Sequence, residues 1–357
     1  MEARCSFLLL IVIAFSSIIE VIAKSQYTTM YVFGDSLSDP GNNEKVSANY
    51  WPYGIDFDKG PTGRFCNGKL LVDFLGELLG FPVIPSYADT IANGSDVLSG
   101  VNYASSGSGI LEDSGYALGR VIPFGKQIDN LKNTMNQLEN QMQTEELNNY
   151  LAKALVFVAI GSNDYINNYM IPVLYKSSLI YDPQQYADLL VQLYKGHILE
   201  LHTLGLRKFY LTEIPPVGCI PIELTIHVAT PSGECDSSSN NLVQMFNIRL
   251  KSLVYNLNSE NLGSIFTLGA SYKILNDLRD NADSYGFKVK DKTCCRIGNT
   301  IGKLICLPKE VPCFNRDEYL FWDFAHPTQA ANRILARVVY NGTSSGFPVN
   351  IQEMAEM

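Results

Sequence analysis

Apolar and polar positions alternate in blocks along this chain of 357 residues. Five short apolar runs rich in β-branched and aromatic side chains recur: "TTMYVF" (28–33), "FPVI" (81–84), "ALVFVAI" (154–160), "KFYLTEI" (208–214) and "SIFTLGA" (264–270). Their length and unbroken hydrophobicity predict strands buried on both faces. Segments 68–80, 125–149, 184–204, 238–261 and 327–340 instead space apolar residues three and four apart, the pattern of helices with one buried face. Asp182 and Pro183 supply an N-cap and a first-turn proline for one of these helices, and Gly205 stops it. Strands alternating with helices predict an α/β fold with a mainly parallel sheet covered on both sides, whose ligands bind outside the carboxyl ends of the strands. With no internal repeat, low-complexity tract or linker, residues 24–357 read as a single domain with a short C-terminal tail.

The first 23 residues stand apart from that pattern. Arg4 precedes an apolar centre, Phe7 to Ile19, and Ala23 ends a small-residue cleavage pattern, so residues 1–23 read as a secretory signal peptide. A membrane anchor needs roughly 20 uninterrupted apolar residues, and Ser16, Ser17 and Glu20 break the run. No later stretch is long and apolar enough to span a bilayer, so the mature chain is expected to be secreted without a stable membrane span.

Charge and cysteines refine the picture. Asp and Glu outnumber Lys and Arg by 36 to 27, and no basic cluster is present to neutralise phosphates, which argues against a nucleic-acid partner. Cys5 leaves with the leader; Cys294, Cys295, Cys306 and Cys313 crowd into one short segment. Such density in a secreted chain reads as a cross-linked loop, with the adjacent Cys294 and Cys295 bonded to different partners. A zinc knuckle is the alternative, but no histidine lies near and the spacing lacks paired C-x-x-C units. Cys219 and Cys235 bracket a short excursion and form a third candidate pair, leaving Cys66 as a buried or free thiol. Asn93-Gly94-Ser95 and Asn341-Gly342-Thr343 are candidate glycosylation sites.

The ends of the strand-like runs carry "GDS" (34–36), "ASSGSG" (104–109) and "GSND" (161–164), which should converge on one rim of the sheet. A serine hydroxyl there needs a base to take its proton and a third group to orient that base. Of the four histidines, His197 and His202 sit within a periodic helix, where a structural role is the better reading, and His227 has no special company. In "FWDFAHPTQAAN" (321–332), Asp323 stands three residues before His326, close enough to hold Nδ1 while Nε2 faces a serine. Alone, that spacing usually marks a helix N-terminus; with a strand-end Ser36 it points to a nucleophile and its base. Gly107 offers an unobstructed backbone N–H and Asn163 a side-chain amide for an oxyanion, although glycines also make turns and Asn-Asp is common loop chemistry. The nucleophile-elbow pattern G-x-S-x-G occurs as "GTSSG" (342–346), but it follows the last helix with no strand before it and is rejected.

Read together, "FGDSLSDPGNN" (33–43), "WPYGIDF" and "PTGRFCNGK" (51–57 and 61–69), "VNYASSGSGIL" (101–111), "VFVAIGSNDYINNY" (156–169), "IPPVGCIP" (214–221) and the final cysteine block through Asn332 resemble the plant GDSL-type esterase/lipase family of the SGNH hydrolase superfamily. The resemblance runs through nearly the whole mature chain. It implies a flavodoxin-like three-layer α/β/α fold and hydrolysis of acyl esters without a cofactor. Ser36 would be the nucleophile and a backbone oxyanion donor, Gly107 and Asn163 the other donors, and His326 the base oriented by Asp323. Two positions depart from the family pattern: Ser106 where glycine is frequent, expected to narrow the site or add a hydroxyl contact, and Glu44 where another Asn is common. The expected partner is a small acyl ester. The same triad serves acyl transfer, and the same fold carries binding proteins with little turnover; filled catalytic positions favour an enzyme, weak in acid because its histidine must be neutral.

Overall fold

The computed structural model describes residues 26–43, 48–94, 96–226, 234–260, 263–295 and 306–357. The signal segment 1–23 with Cys5, and also Glu44, Ser95 and His227, lie outside the described residues.

Five strands, β1 (Met30–Gly34), β2 (Gly100–Asn102), β3 (Leu155–Ala159), β4 (Lys208–Thr212) and β5 (Ile265–Gly269), pair in parallel in the order β2-β1-β3-β4-β5. Two further strands, β6 (Val289–Thr293) and β7 (Tyr319–Phe321), form a separate small parallel sheet, and β8 (Gly346–Phe347) closes the main sheet antiparallel to β5. This is the flavodoxin-like order, with a switch point between β1 and β3 where two loops leave the sheet in opposite directions.

Period-two alternation explains the three layers. Tyr31, Phe33, Val156, Val158, Phe209 and Leu211 point to one face and pack against helices Phe124–Glu139, Pro183–Thr203 and Ser237–Glu260. Met30, Val32, Leu155, Phe157 and Tyr210 point to the other, toward helices Leu71–Leu78, Gln329–Asn341 and Ile351–Ala355. Both faces are apolar, so the strands read as continuous hydrophobic runs. Asp182 caps the helix Pro183–Thr203 by accepting from Gln185 N–H, with Pro183 in the first turn as expected. No helix among the described residues is long and apolar enough to cross a membrane.

Two expectations are corrected. "FPVI" (81–84) is not a strand: Pro82 and the following Pro85 lack the N–H a ladder requires, and Val83 is exposed. The short run Gly100–Asn102 takes that place in the sheet instead. The helix expected over 125–149 is two, Phe124–Glu139 and Thr144–Ala152, both resting on the same core through Leu138, Leu147 and Leu151. Glu145 and Glu146 favour the second N-terminus.

The cysteine reading holds. Cys219 pairs with Cys235, Cys294 with Cys313, and Cys295 with Cys306, while Cys66 is a free, buried thiol. Cys294, Cys295 and Cys306 pack with Tyr53, Phe65 and Trp322, and Tyr319 of β7 lies against the same cluster.

Candidate active site

The ends of β1, β2 and β3 do converge. β1 stops at Gly34, where an added Cβ would stand 2.5 Å from the Ala159 carbonyl oxygen, so only glycine allows the two chains to approach here. Asp35 N–H donates to that same carbonyl, and the Asp35 side chain and carbonyl accept from Leu37 and Ser38 N–H. The tight turn lifts Ser36 to the rim.

His326 reaches the rim from the small sheet. After β7 the chain loops so that Trp322 N–H donates to the His326 carbonyl and Thr328 N–H to the Leu320 carbonyl; Thr328 then caps the helix Gln329–Asn341. Within this loop His326 Nδ1 lies 2.7 and 2.9 Å from the two oxygens of Asp323, and Nε2 lies 2.7 Å from Ser36 Oγ. A carboxylate only accepts, so Nδ1 carries the proton and Nε2 offers its lone pair to the serine hydroxyl. Asp323 is fully buried and is further held by Ala325 N–H, His326 N–H and the Tyr53 hydroxyl at 2.8 Å. Phe65 lies against the imidazole, its centroid 4.8 Å from that of the ring.

Asn163 follows β3 in a short helical turn, Ser162–Asp164. Its Nδ2 donates to the Ser108 carbonyl at 2.9 Å and its Oδ1 accepts from Asn167, leaving one amide hydrogen. Gly107 adopts φ +78°, a left-handed conformation that suits glycine. Among the described residues neither the Ser36 nor the Gly107 N–H meets an acceptor. Ser36, Asn163 and His326 line one cavity; Gly107 stands on the neighbouring loop, outside its wall.

The expected contact of Ser106 with the site is corrected. Its hydroxyl and its N–H both donate to Asp39 Oδ2, so this serine braces the Gly107 loop from behind. Asp39 also accepts from Gly41 and Asn42 N–H, which organises the turn after Ser36. His197 packs on Phe124, His202 Nε2 bonds Ser264 Oγ, and both keep structural roles. The "GTSSG" segment leads into β8 at the sheet edge, far in the chain from any catalytic strand end.

Three supporting residues were not anticipated. Buried Gln127 binds Gly34, Ser108 and Ile122. Asp164, also buried, accepts from Ile110 N–H, Leu111 N–H and the Ser114 hydroxyl, and burial pushes its carboxyl up to about 6. Tyr53 sits inside the "WPYGIDF" motif, whereas Gln127 has no local signal at all, since its role depends on a strand end 93 positions away.

Comparisons with known proteins agree with this geometry. A family model described as GDSL-like Lipase/Acylhydrolase matches residues 30–339. A GDSL esterase/lipase of Arabidopsis thaliana is 46% identical over 342 residues, covering 93% of this chain and 89% of its own. A second from the same plant is 44% identical, with 94% and 90% covered, and GDSL esterase/lipase 7 is 41% identical, with 92% of each chain covered. A nearly complete family match and relatives well above 30% identity, on a parallel sheet with a serine at the β1 rim, leave one conclusion: this chain belongs to the GDSL esterase/lipase family and is a carboxylic ester hydrolase.

Proposed function

We propose that this protein is a secreted serine esterase in which Ser36 is the nucleophile, His326 the general base and Asp323 the group that orients it. The observation that carries this reading is the unbroken line Ser36 Oγ, His326 Nε2, His326 Nδ1, Asp323, with each step between 2.7 and 2.9 Å.

His326 takes the hydroxyl proton as Ser36 Oγ attacks the ester carbonyl. The negative oxygen is met by the backbone N–H groups of Ser36 and Gly107 and the remaining amide hydrogen of Asn163. The support here is that, among the described residues, these donor hydrogens meet no other acceptor. As the tetrahedral adduct collapses, His326 returns the proton to the alcohol, which leaves. Water then enters, gives its proton to His326, and releases the carboxylic acid from Ser36. Asp323 stays ionised throughout and stabilises the imidazolium.

Secretion rests on the leader-like residues 1–23 and accords with three disulfides, bonds that persist in oxidising compartments. Residues 24–357 form the single domain of this reading. Asn93 and Asn341 are both exposed, as glycan acceptors must be.

The test is Ser36→Ala in the mature chain. Ester hydrolysis is expected to vanish, with the circular dichroism spectrum and Tm unchanged; turnover that persists would sink the assignment.

A further inference from the structure

The cavity that opens at Ser36 does not stay at the rim. It continues under the His326 loop, between the sheet and the helices Ser271–Asp280 and Gln329–Asn341, where Leu71, Phe157, Ile274, Leu275, Leu335 and Val339 form its walls. Its volume is about 130 Å³. Three of its polar wall groups are held by neighbours: Asn332 Nδ2 donates to the Lys69 carbonyl, Glu213 accepts from Tyr272 N–H, and Asp35 accepts from Leu37 N–H; Ser162, Thr212 and Ser271 add the small remaining polar part of the wall.

From this geometry, and resting on the esterase reading above, we infer that the cavity is the acyl-chain site and that it takes an unsubstituted apolar acyl group of about four to six carbons. The size follows from a general comparison: an apolar protein cavity of about 150 Å³ is filled by one benzene molecule, so a somewhat smaller one holds six carbons or fewer. The assignment to the acyl half follows from the order of events. The acyl group stays bonded to Ser36 Oγ while the alcohol departs and water arrives, so the half that is retained occupies the interior and the half that leaves faces solvent. The mostly apolar wall favours apolar acyl groups over hydroxylated or charged ones, whose polar atoms would lose more water than the few wall hydroxyls replace.

Chain length is then read as apolar burial. Each methylene that enters the cavity is expected to raise kcat/KM roughly two- to fourfold, and the rise should end near hexanoyl. The experiment compares 4-nitrophenyl acetate, butyrate, hexanoate, decanoate and palmitate with the wild-type mature enzyme, with Ile274→Trp, which fills the cavity, and with Leu335→Ala, which widens it. Ile274 and Leu335 are only partly buried, so both variants are expected to fold, and the wild-type series stands without them. Expected are a wild-type maximum at butyrate or hexanoate, a hexanoate-to-acetate ratio at least tenfold lower in Ile274→Trp, and a maximum moved to longer chains in Leu335→Ala. A wild-type preference rising steadily to palmitate, or a ratio unmoved by Ile274→Trp, would overturn the acyl-site assignment while leaving the esterase reading intact. Failure of wild type to cleave any ester, acetate included, would overturn both.

Discussion

Gln127 grips Gly34 by both of its backbone polar groups: its Oε1 accepts from Gly34 N–H at 3.0 Å and its Nε2 donates to the Gly34 carbonyl at 2.8 Å. The β2 ladder registers with β1 as far as Val32; at Gly34 the carbonyl still accepts from Ser105 N–H, while Gly34 N–H finds its acceptor in the Gln127 side chain. The same Nε2 reaches Ser108 Oγ, next to Gly107, so one amide ties the strand that ends before Ser36 to the Gly107 loop.

Gln127→Ala should therefore act on catalysis through position. Once active sites are counted with a phosphonate, kcat is expected to fall tenfold to a hundredfold with KM little changed. Stability should fall by about 1–3 kcal/mol because buried Gly34 N–H loses its acceptor. A variant with lower Tm but an unchanged kcat per titrated site would show that the amide only supports the fold.

Asp323 and Tyr53 define a graded pair. Asp323→Asn presents an amide to His326 Nδ1 and favours the wrong tautomer, so a loss of three to four orders of magnitude in kcat is expected. Tyr53→Phe removes one of several donors to Asp323 and keeps the ring packing on Phe65 and Trp322, so a fall of about tenfold is expected. Steady-state kinetics on a short ester checks both; equal losses would contradict the hierarchy.

Asp35 makes stability fall as pH rises. Burial pushes its carboxyl from the ordinary 3.8 to about 7, outweighing the Leu37 N–H it accepts from and the nearby His326. A raised carboxyl binds its proton more tightly in the folded state, so its contribution to stability is complete near pH 4 and is lost as pH climbs to about 7. Asp35→Asn keeps an acceptor for Leu37 and cannot ionise. Urea unfolding at pH 5 and pH 8 should show the variant gaining on wild type by up to a few kcal/mol at the higher pH; a gap independent of pH would refute the assignment.

Two of the disulfides lie beside the loop that carries Asp323 and His326. Cys294 and Cys295 N–H donate to the Phe321 and Trp322 carbonyls, immediately before Asp323. Their loops close 19 and 11 residues, so each bond is expected to contribute roughly 3 kcal/mol. Reduction should lower Tm and activity together. Thiol titration of the denatured, unreduced mature chain should count one group, Cys66; three or more would contradict the pairing.

Much of the architecture was legible because it follows from local repetition. Runs such as "ALVFVAI" (154–160) and "KFYLTEI" (208–214) can be buried on both faces only inside a covered parallel sheet, and they are β3 and β4. The failures have local causes too. Apolar content suggested a strand at 81–84 where Pro82 and Pro85 forbid a ladder, and the three-residue β2 carries too little pattern to be seen.

By itself the sequence determined the alternating elements, a crowded cysteine segment in which Cys294 and Cys295 take different partners, and the short list Ser36, Asp323, His326, Gly107 and Asn163. Each depends on residue type and near neighbours along the chain. Tertiary structure decided what those residues meet: Nε2 of His326 at 2.7 Å from a serine 290 positions away, Gln127 bound to Gly34, Ser106 turned onto Asp39, and an apolar cavity under the His326 loop. No local pattern encodes such contacts, because packing of distant elements sets them, and a change of about 1 Å makes or breaks a hydrogen bond.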